Sequence, residues 1–136
     1  MLVDRRGTPL SVVLTGANTN DCKVLEEAVD AIPPIYNGRR GRPRFRPKKL
    51  HADKGYDFAF CRAALRKRHI TPRIARRGIE SKDRLGRYRW VVERTMSWLN
   101  RFRRLKVRYE RTAEMHKAFL LLGCALICLR QIERFC

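Results

Sequence analysis

Between residues 91 and 105, Val91, Thr95, Trp98, Phe102 and Leu105 follow one another at steps of four, three, four and three. That spacing is one apolar stripe of a helix. RYRWVVERTMSWLNRFRRLKV (87–107) is therefore predicted as the longest helix of the chain. At ~100° per residue, Glu93 falls about 200° from Val91, on the opposite face with Arg89, Ser97, Asn100 and Arg104. Upstream the pattern changes. LVDRRGTPLSVVLT (2–15) reads as two short strands about a turn at Arg6-Gly7. GANTND supplies turn chemistry and an N-cap for the helix DCKVLEEAVDAI (21–32), which Pro33-Pro34 ends. KLHAD (49–53) reads as a short buried strand running into the Gly55 turn, FAFCRAALRKRH (58–69) as an amphipathic helix, and ITPRIAR (70–76) as a second short strand. A last helix is expected at roughly 113–134.

The order ββα-βα-βα-α predicts an α/β fold, a mixed sheet covered by helices. A chain of 136 residues is one domain or a piece of one. It divides into a hairpin and helix (1–32), a basic Gly/Pro-rich loop (33–49), and strand-helix units with C-terminal helices (50–136). The run AFLLLGCALICL (118–129) is shorter than the ~20 residues of a spanning helix and reads as a buried one. The first residues lack the apolar stretch of a signal peptide. No membrane partner is expected.

Five cysteines (22, 61, 124, 128 and 136) show no CxxC spacing. Cys124 and Cys128, one turn apart in the apolar run, read as core thiols, in keeping with a reducing cytoplasm. His51, His69 and His116 fall on separate elements and read as structural or solvated, which leaves a metal-thiol protein without support. Trp90 and Trp98 read as packing residues. Trp90 lies off the apolar stripe, so stacking on an unpaired base is its alternative role.

Charge sharpens this picture. Lys and Arg number 32 against 13 Asp and Glu, a net +19. Residues 39–111 hold 26 of the bases and only six acids. Such a chain expects a polyanion, DNA or RNA, and meets it with its middle. The bases are spread over many elements rather than along one amphipathic helix, which disfavours a membrane surface. NGRRGRPRFRPKK (37–49) is either a phosphate-contacting loop or a solvated linker.

Two acids stand out in this basic field: Asp53 in HADKGYD (51–57), and Glu93 on the long helix. Each has a plain reading. Asp53 satisfies its own turn, and Glu93 pairs with Arg89 one turn away for a few tenths of a kcal/mol. Taken together they have another. Magnesium favours one or two carboxylates, with phosphate and water completing its octahedron, and two such ions about 3.5 to 4 Å apart serve phosphodiester chemistry. Lys54, Arg89, Arg94, Arg101 and Arg104 are the bases placed to hold the phosphate backbone around them.

ADKGYD followed by GRYRWVVERTMSWLNRFRRLKVRYER resembles the C-terminal half of bacterial insertion-sequence transposases of the DDE type, in the IS-five-like branch. LVDRRGTPLSVVLTGANTND is similar to the hairpin and helix start that precede those motifs. The resemblance covers nearly the whole chain. It implies a ribonuclease-H-like fold and Mg²⁺-dependent cleavage and strand transfer on DNA. Asp53 matches the second acid of the catalytic triad and Glu93 the third. Arg89 matches the arginine of the Tyr-Arg-Glu-Lys signature, whose tyrosine and lysine positions fall here on Gly86 and Asn100 and do not carry over.

The family's first acid lies on a strand before the hairpin, and this chain begins inside the second strand, so the fold is expected to lack its first strand. Asp4, beside the Arg5-Arg6-Gly7 turn, is not promoted to that vacancy. The chain reads either as the downstream frame of an element whose enzyme arises by frameshifting, or as a truncated relic, and as inactive alone. Its expected partners are element ends and target DNA, and with them the upstream frame's product or further copies of itself, in the bacterial cytoplasm at the nucleoid. The rival is a non-enzymatic basic nucleic-acid-binding protein, for which acids facing the phosphate surface have no use.

Overall fold

β1 (Leu2–Val3) and β2 (Pro9–Ser11) pair antiparallel, with a register shift between Leu2 and Val3. Asp4 makes the turn between them: its Oδ1 accepts the backbone N–H groups of Arg6 and Thr8, each at 2.8 Å. This computed structural model describes all residues except 17, 37, 39, 79–81 and 136, with backbone alone at 82–89 and 135. The chain folds as two compact units, one of Met1–Leu14 with Trp90–Cys136, the other of Thr15–Arg89.

The second unit is built on a strand-helix-strand pattern. After a 3₁₀ turn (Asp21–Val24) capped by Asn20 comes α1 (Leu25–Asp30). β3 (Lys49–Ala52), α2 (Ala59–Lys67) and β4 (Thr71–Ile74) follow, β3 and β4 pairing in parallel from Lys49↔Thr71 to Ala52↔Ile74. Cys61, Leu65 and Ile70 are sealed from solvent and pack with Leu25, Val29, Leu50 and Ile74 into a small core. Removing a side chain such as Leu65 down to alanine costs about 2–5 kcal/mol. His69 holds φ at 57°, a left-handed residue where helices usually place glycine, and Ile70 N–H reaches back to Leu65 O at 2.9 Å to close α2.

The first unit carries the hairpin and the C-terminal helices: α3 (Lys82–Leu99, its last ten residues here), α4 (Arg103–Lys106) and α5 (Ala113–Phe135). Leu99, Cys124 and Ile127 form its core, with Met1, Val12, Trp98, Leu105 and Leu120 packed around them. Gly123 allows the close approach: a Cβ there would stand 2.9 Å from Leu105 and 3.0 Å from Leu99.

Four expectations need correction. The described strands form two two-stranded sheets rather than one mixed sheet. KLHAD is half exposed, only Leu50 being buried. The long helix breaks at Asn100–Phe102, where Phe102 N–H bonds Leu99 O three residues back at 3.0 Å, and the chain turns so that Leu105 reaches Gly123. The apolar run in α5 is buried on one face only; Leu121, Leu122, Leu126 and Leu129 are 37–56% exposed. The hairpin, α2 and α5 lie where periodicity puts them. Cys22, Cys61 and Cys124 are buried thiols, Cys128 is half-buried, and Cys136 lies outside the described residues.

Arg68 joins α1 to α2. Its Nε and Nη2 donate to the two oxygens of Asp30 at 2.9 and 2.6 Å, its Nη1 meets Glu26 at 2.9 Å, and it also caps Ala64 O. The Arg68 hydrogen bonds hold the Asp30 carboxyl below its ordinary value of 3.8. A depressed carboxylate contributes stability above its unfolded pKa and loses it as pH falls through the folded one. Thermal melts should therefore lose stability as pH drops from about 5 to below about 4, and Asp30→Asn should flatten part of that loss. The pair is solvent-exposed on the acid side, so the effect is under about 1 kcal/mol.

Candidate active site

Asp53 follows β3 and begins a 3₁₀ turn (Lys54–Tyr56). Its Oδ1 accepts Gly55 N–H at 3.0 Å. The side chain is exposed, and among the described residues its other oxygen has no hydrogen-bond partner. The plain reading thus accounts for half of the carboxylate. The same Oδ1 stands 3.0 Å from where a Cβ on Gly55 would lie, so the tight turn wants glycine there.

The turn is held from behind by a group that spacing did not single out. Asp57 takes Arg62 Nη2 on one oxygen and Arg77 N–H at 2.9 Å on the other. Arg62 also donates to Ile74 O at 3.0 Å, while Arg77 donates from Nε to Lys54 O at 3.1 Å and lies over the Phe58 ring. Arg62, with Arg77 N–H behind it, keeps the Asp57 carboxyl below the usual carboxylate range. The backbone of Lys54, and with it the direction of Asp53, is tied to the segment that follows β4. The only sequence signal was a second acid four residues after the first. Burial, with the carboxylates of Asp21 and Asp53 adding to it, pushes the Tyr56 phenol up to about 12, so it stays protonated.

Glu93 is exposed on α3, on the face opposite buried Val91, as the wheel predicts. The helix turn after it is clamped to the hairpin of its own unit. Thr95, fully buried, donates to Gly7 O at 2.7 Å, with Val91 O at 3.1 Å as the other acceptor. Arg94 donates from Nη2 to Arg6 O at 2.7 Å, and its guanidinium lies between the rings of Trp90 and Trp98, 4.3 and 4.9 Å from their centroids. Its charge is taken up by two indoles and a carbonyl. Trp90 keeps 47% of its surface exposed.

Arg101 is exposed at the helix break. Arg104 lies over Phe119 and donates to Glu110 at 3.0 Å, leaving 60% of its side chain in solvent. Burial works against the charge of Glu110, but backbone N–H groups and Arg104 outweigh it and hold that carboxyl below its ordinary range. The Arg89 side chain lies outside the described residues. Asp53 and Lys54 belong to one unit and Glu93, Arg94, Arg101 and Arg104 to the other. Among the described residues no group of three or more His, Cys, Asp or Glu lies close enough together to hold a metal. An exposed carboxylate with one open oxygen nonetheless has the donor chemistry a hard cation takes.

Residues 1–128 match the family model for the transposase DDE domain. The chain belongs to the DDE transposase family. A Burkholderia cepacia protein named as a transposase for insertion sequence element IS402 is 54% identical over 134 residues, 98% of this chain. The chain spans 63% of that relative's length. No solved structure matches the chain.

In this transposase chain Gly7 is the hinge of the clamp behind Glu93. Its φ is 84°, and a Cβ would stand 2.8 Å from Thr95 Oγ1 and 3.3 Å from Trp98. Gly7→Ala should cost about 3 kcal/mol in a denaturant melt, backbone strain and overpacking together. Thr95→Val, which leaves Gly7 O without its donor, should cost about 1–2 kcal/mol. A melt unchanged by Gly7→Ala would show that the hairpin is not seated on this helix.

Proposed function

We propose that this chain is the downstream part of a DDE transposase catalytic domain with a ribonuclease-H-like fold, completed by a strand carrying a first aspartate. In the complete protein it binds element ends and target DNA, and takes part in cleavage and strand transfer. What carries this reading is Asp53, exposed after a strand with one carboxylate oxygen open among the described residues, in a chain that belongs to the DDE transposase family. Asp53 and Glu93 are the residues that would hold Mg²⁺, together with the further acid. Once bound, the ion would polarise phosphate oxygens and lower the pKa of an attacking hydroxyl.

The chain's own residues do the rest. Lys54, Arg89, Arg101 and Arg104 bind the phosphate backbone as charge partners. Arg94 acts one step back: held between its two indoles, it fixes the helix turn that presents Glu93. The Asp57–Arg62–Arg77 network does the same for Asp53. A protein that only binds nucleic acid gains nothing from these two acids, because they repel the phosphates that its cations attract. The work is done where the DNA is, in the cytoplasm at the nucleoid.

The test uses this chain extended by the further third that the relative carries. Mg²⁺-dependent nicking of an element end should fall at least about 100-fold on Asp53→Asn or Glu93→Gln, the scale of losing one electrostatic element of a phosphoryl or acyl transfer site. DNA affinity should hold or tighten slightly. Cleavage that survives both substitutions sinks the reading in favour of the pure binder. The 136-residue chain by itself should bind duplex DNA, losing about 10³-fold or more between 50 and 200 mM salt if six or more phosphates are held, and should not cut.

A further inference from the structure

The basic segment between α1 and β3 has a period of its own. Arg40, Arg42, Arg44 and Arg46 stand at every second position, with Gly41, Pro43, Phe45 and Pro47 alternating with them. An extended chain puts alternate residues on one side. The fold keeps this stretch extended. None of residues 40–47 is helical, and Arg44 is bridged antiparallel to Ile35, its N–H donating and its carbonyl accepting at 2.9 Å. Pro43 and Pro47 fix their own φ and hold Arg42 and Arg46, which precede them, away from helical geometry. All four arginines are exposed, while the two prolines are partly buried.

Two further features set this segment apart from a solvated linker. Its guanidinia are uncommitted. Arg62, Arg68, Arg77, Arg94 and Arg104 each donate to a carboxylate or a carbonyl. Among the described residues, the side chains of Arg40, Arg42 and Arg44 have no hydrogen-bond or ion-pair partner. The chain also holds no acid between Asp30 and Asp53. The other feature is Gly41, whose φ is 139° and where a Cβ would meet nothing within 4 Å. Open space beside a glycine, between two arginines, lets the backbone itself come close to a ligand.

The ligand is a polyanion that admits a narrow, extended chain. The minor groove of duplex DNA is ~6 Å wide, too narrow for a helix ~10 Å across but open to a single extended segment. Alternate residues of such a segment lie ~6.6 Å apart, close to the ~6.8 Å of two base-pair steps, so successive arginines meet the groove in register. A·T-rich DNA narrows the groove and deepens its negative potential, which draws arginine in. In G·C pairs the guanine N2 amino group occupies the groove floor. A guanidinium sheds its water more readily than an ammonium, and the first lysines, Lys48 and Lys49, come only after Pro47.

We propose that residues 40–46 read the minor groove of A·T-rich duplex DNA, laying Arg40, Arg42 and Arg44 along its floor with Gly41 at the closest approach. This rests on the reading of the chain as part of a DNA-acting transposase, and adds to it which groove is read and which base composition is preferred. The segment runs into β3, so the duplex is held at the start of the strand that Asp53 follows.

The experiment is fluorescence anisotropy of the full chain with short duplexes of A·T, G·C and inosine·C composition. Inosine·C keeps the major groove of G·C but, without the N2 amino group, has the minor groove of A·T. Affinity for A·T and inosine·C should agree within about threefold and exceed that for G·C by at least about tenfold. Arg40→Lys with Arg42→Lys keeps the charge, so the salt dependence should hold while the preference falls below about threefold. Both positions are exposed, and far-UV circular dichroism should stay native. Arg130→Lys, exposed on α5 in the other unit, should change neither quantity. G·C bound as tightly as A·T, inosine·C behaving like G·C, or a double variant that keeps the preference would each overturn the proposal and leave the transposase reading standing. Tighter binding to duplex RNA, whose minor groove is wide and shallow, would overturn it too. A chain that binds no duplex at all would sink the DNA-binding reading along with it.

Discussion

The carboxylate of Asp53 has two oxygens, and the fold uses one. Oδ1 accepts the Gly55 N–H that starts the turn after β3, which fixes where the side chain stands and what direction its other oxygen takes. In a chain with more than two cations for every acid, such a group is expected to be neutralised by the nearest guanidinium. Among the described residues, the Arg62 guanidinium donates to Asp57, four residues on, and the Arg77 guanidinium to the Lys54 carbonyl, while the Arg77 backbone N–H takes the second oxygen of Asp57.

Arg94, next to Glu93 in the chain, reads by charge as a phosphate partner. The fold gives it to two tryptophans and a backbone carbonyl instead. Cation–π stacking of this kind contributes about 0.5–2 kcal/mol, more as water is excluded. It also turns a mobile cation into a brace between the hairpin and α3. Buried Thr95 and the left-handed Gly7 complete the brace. Both candidate acids thus stand exposed on backbones that polar networks hold from behind, which is what a metal-binding carboxylate needs from its support.

Much of this was legible in the sequence, and for identifiable reasons. The hairpin, α2 and α5 follow from local period and turn chemistry, which is why their bounds agree with the structure. Glu93 is exposed because its angular distance from Val91 dictates it. The break at Asn100–Phe102 was hidden, since the four-three spacing runs on through it; only the docking of Leu105 on Gly123, a contact between distant segments, bends the chain there. The open side of α5 was hidden too, because an apolar run says that surface seeks cover without saying where the cover comes from. Trp90, Arg94 and Trp98 recur at successive turns, a spacing that lets the guanidinium stack on both indoles, while charge alone points Arg94 to phosphate. Nothing local separates the Asp57 that uses both oxygens from the Asp53 that uses one among the described residues.

In the proposed function, residues 53 and 93 serve a single ion. A Mn²⁺ titration followed by electron paramagnetic resonance, on the DNA-bound protein extended to the relative's full length, reads this through a double-mutant cycle. With a shared ion, Asp53→Asn and Glu93→Gln each weaken binding by about tenfold or more, and the double variant falls little below the weaker single one, because the first loss already empties the site. Losses that multiply in the double variant, or either substitution leaving Mn²⁺ affinity untouched, would mean that the two acids hold no ion in common.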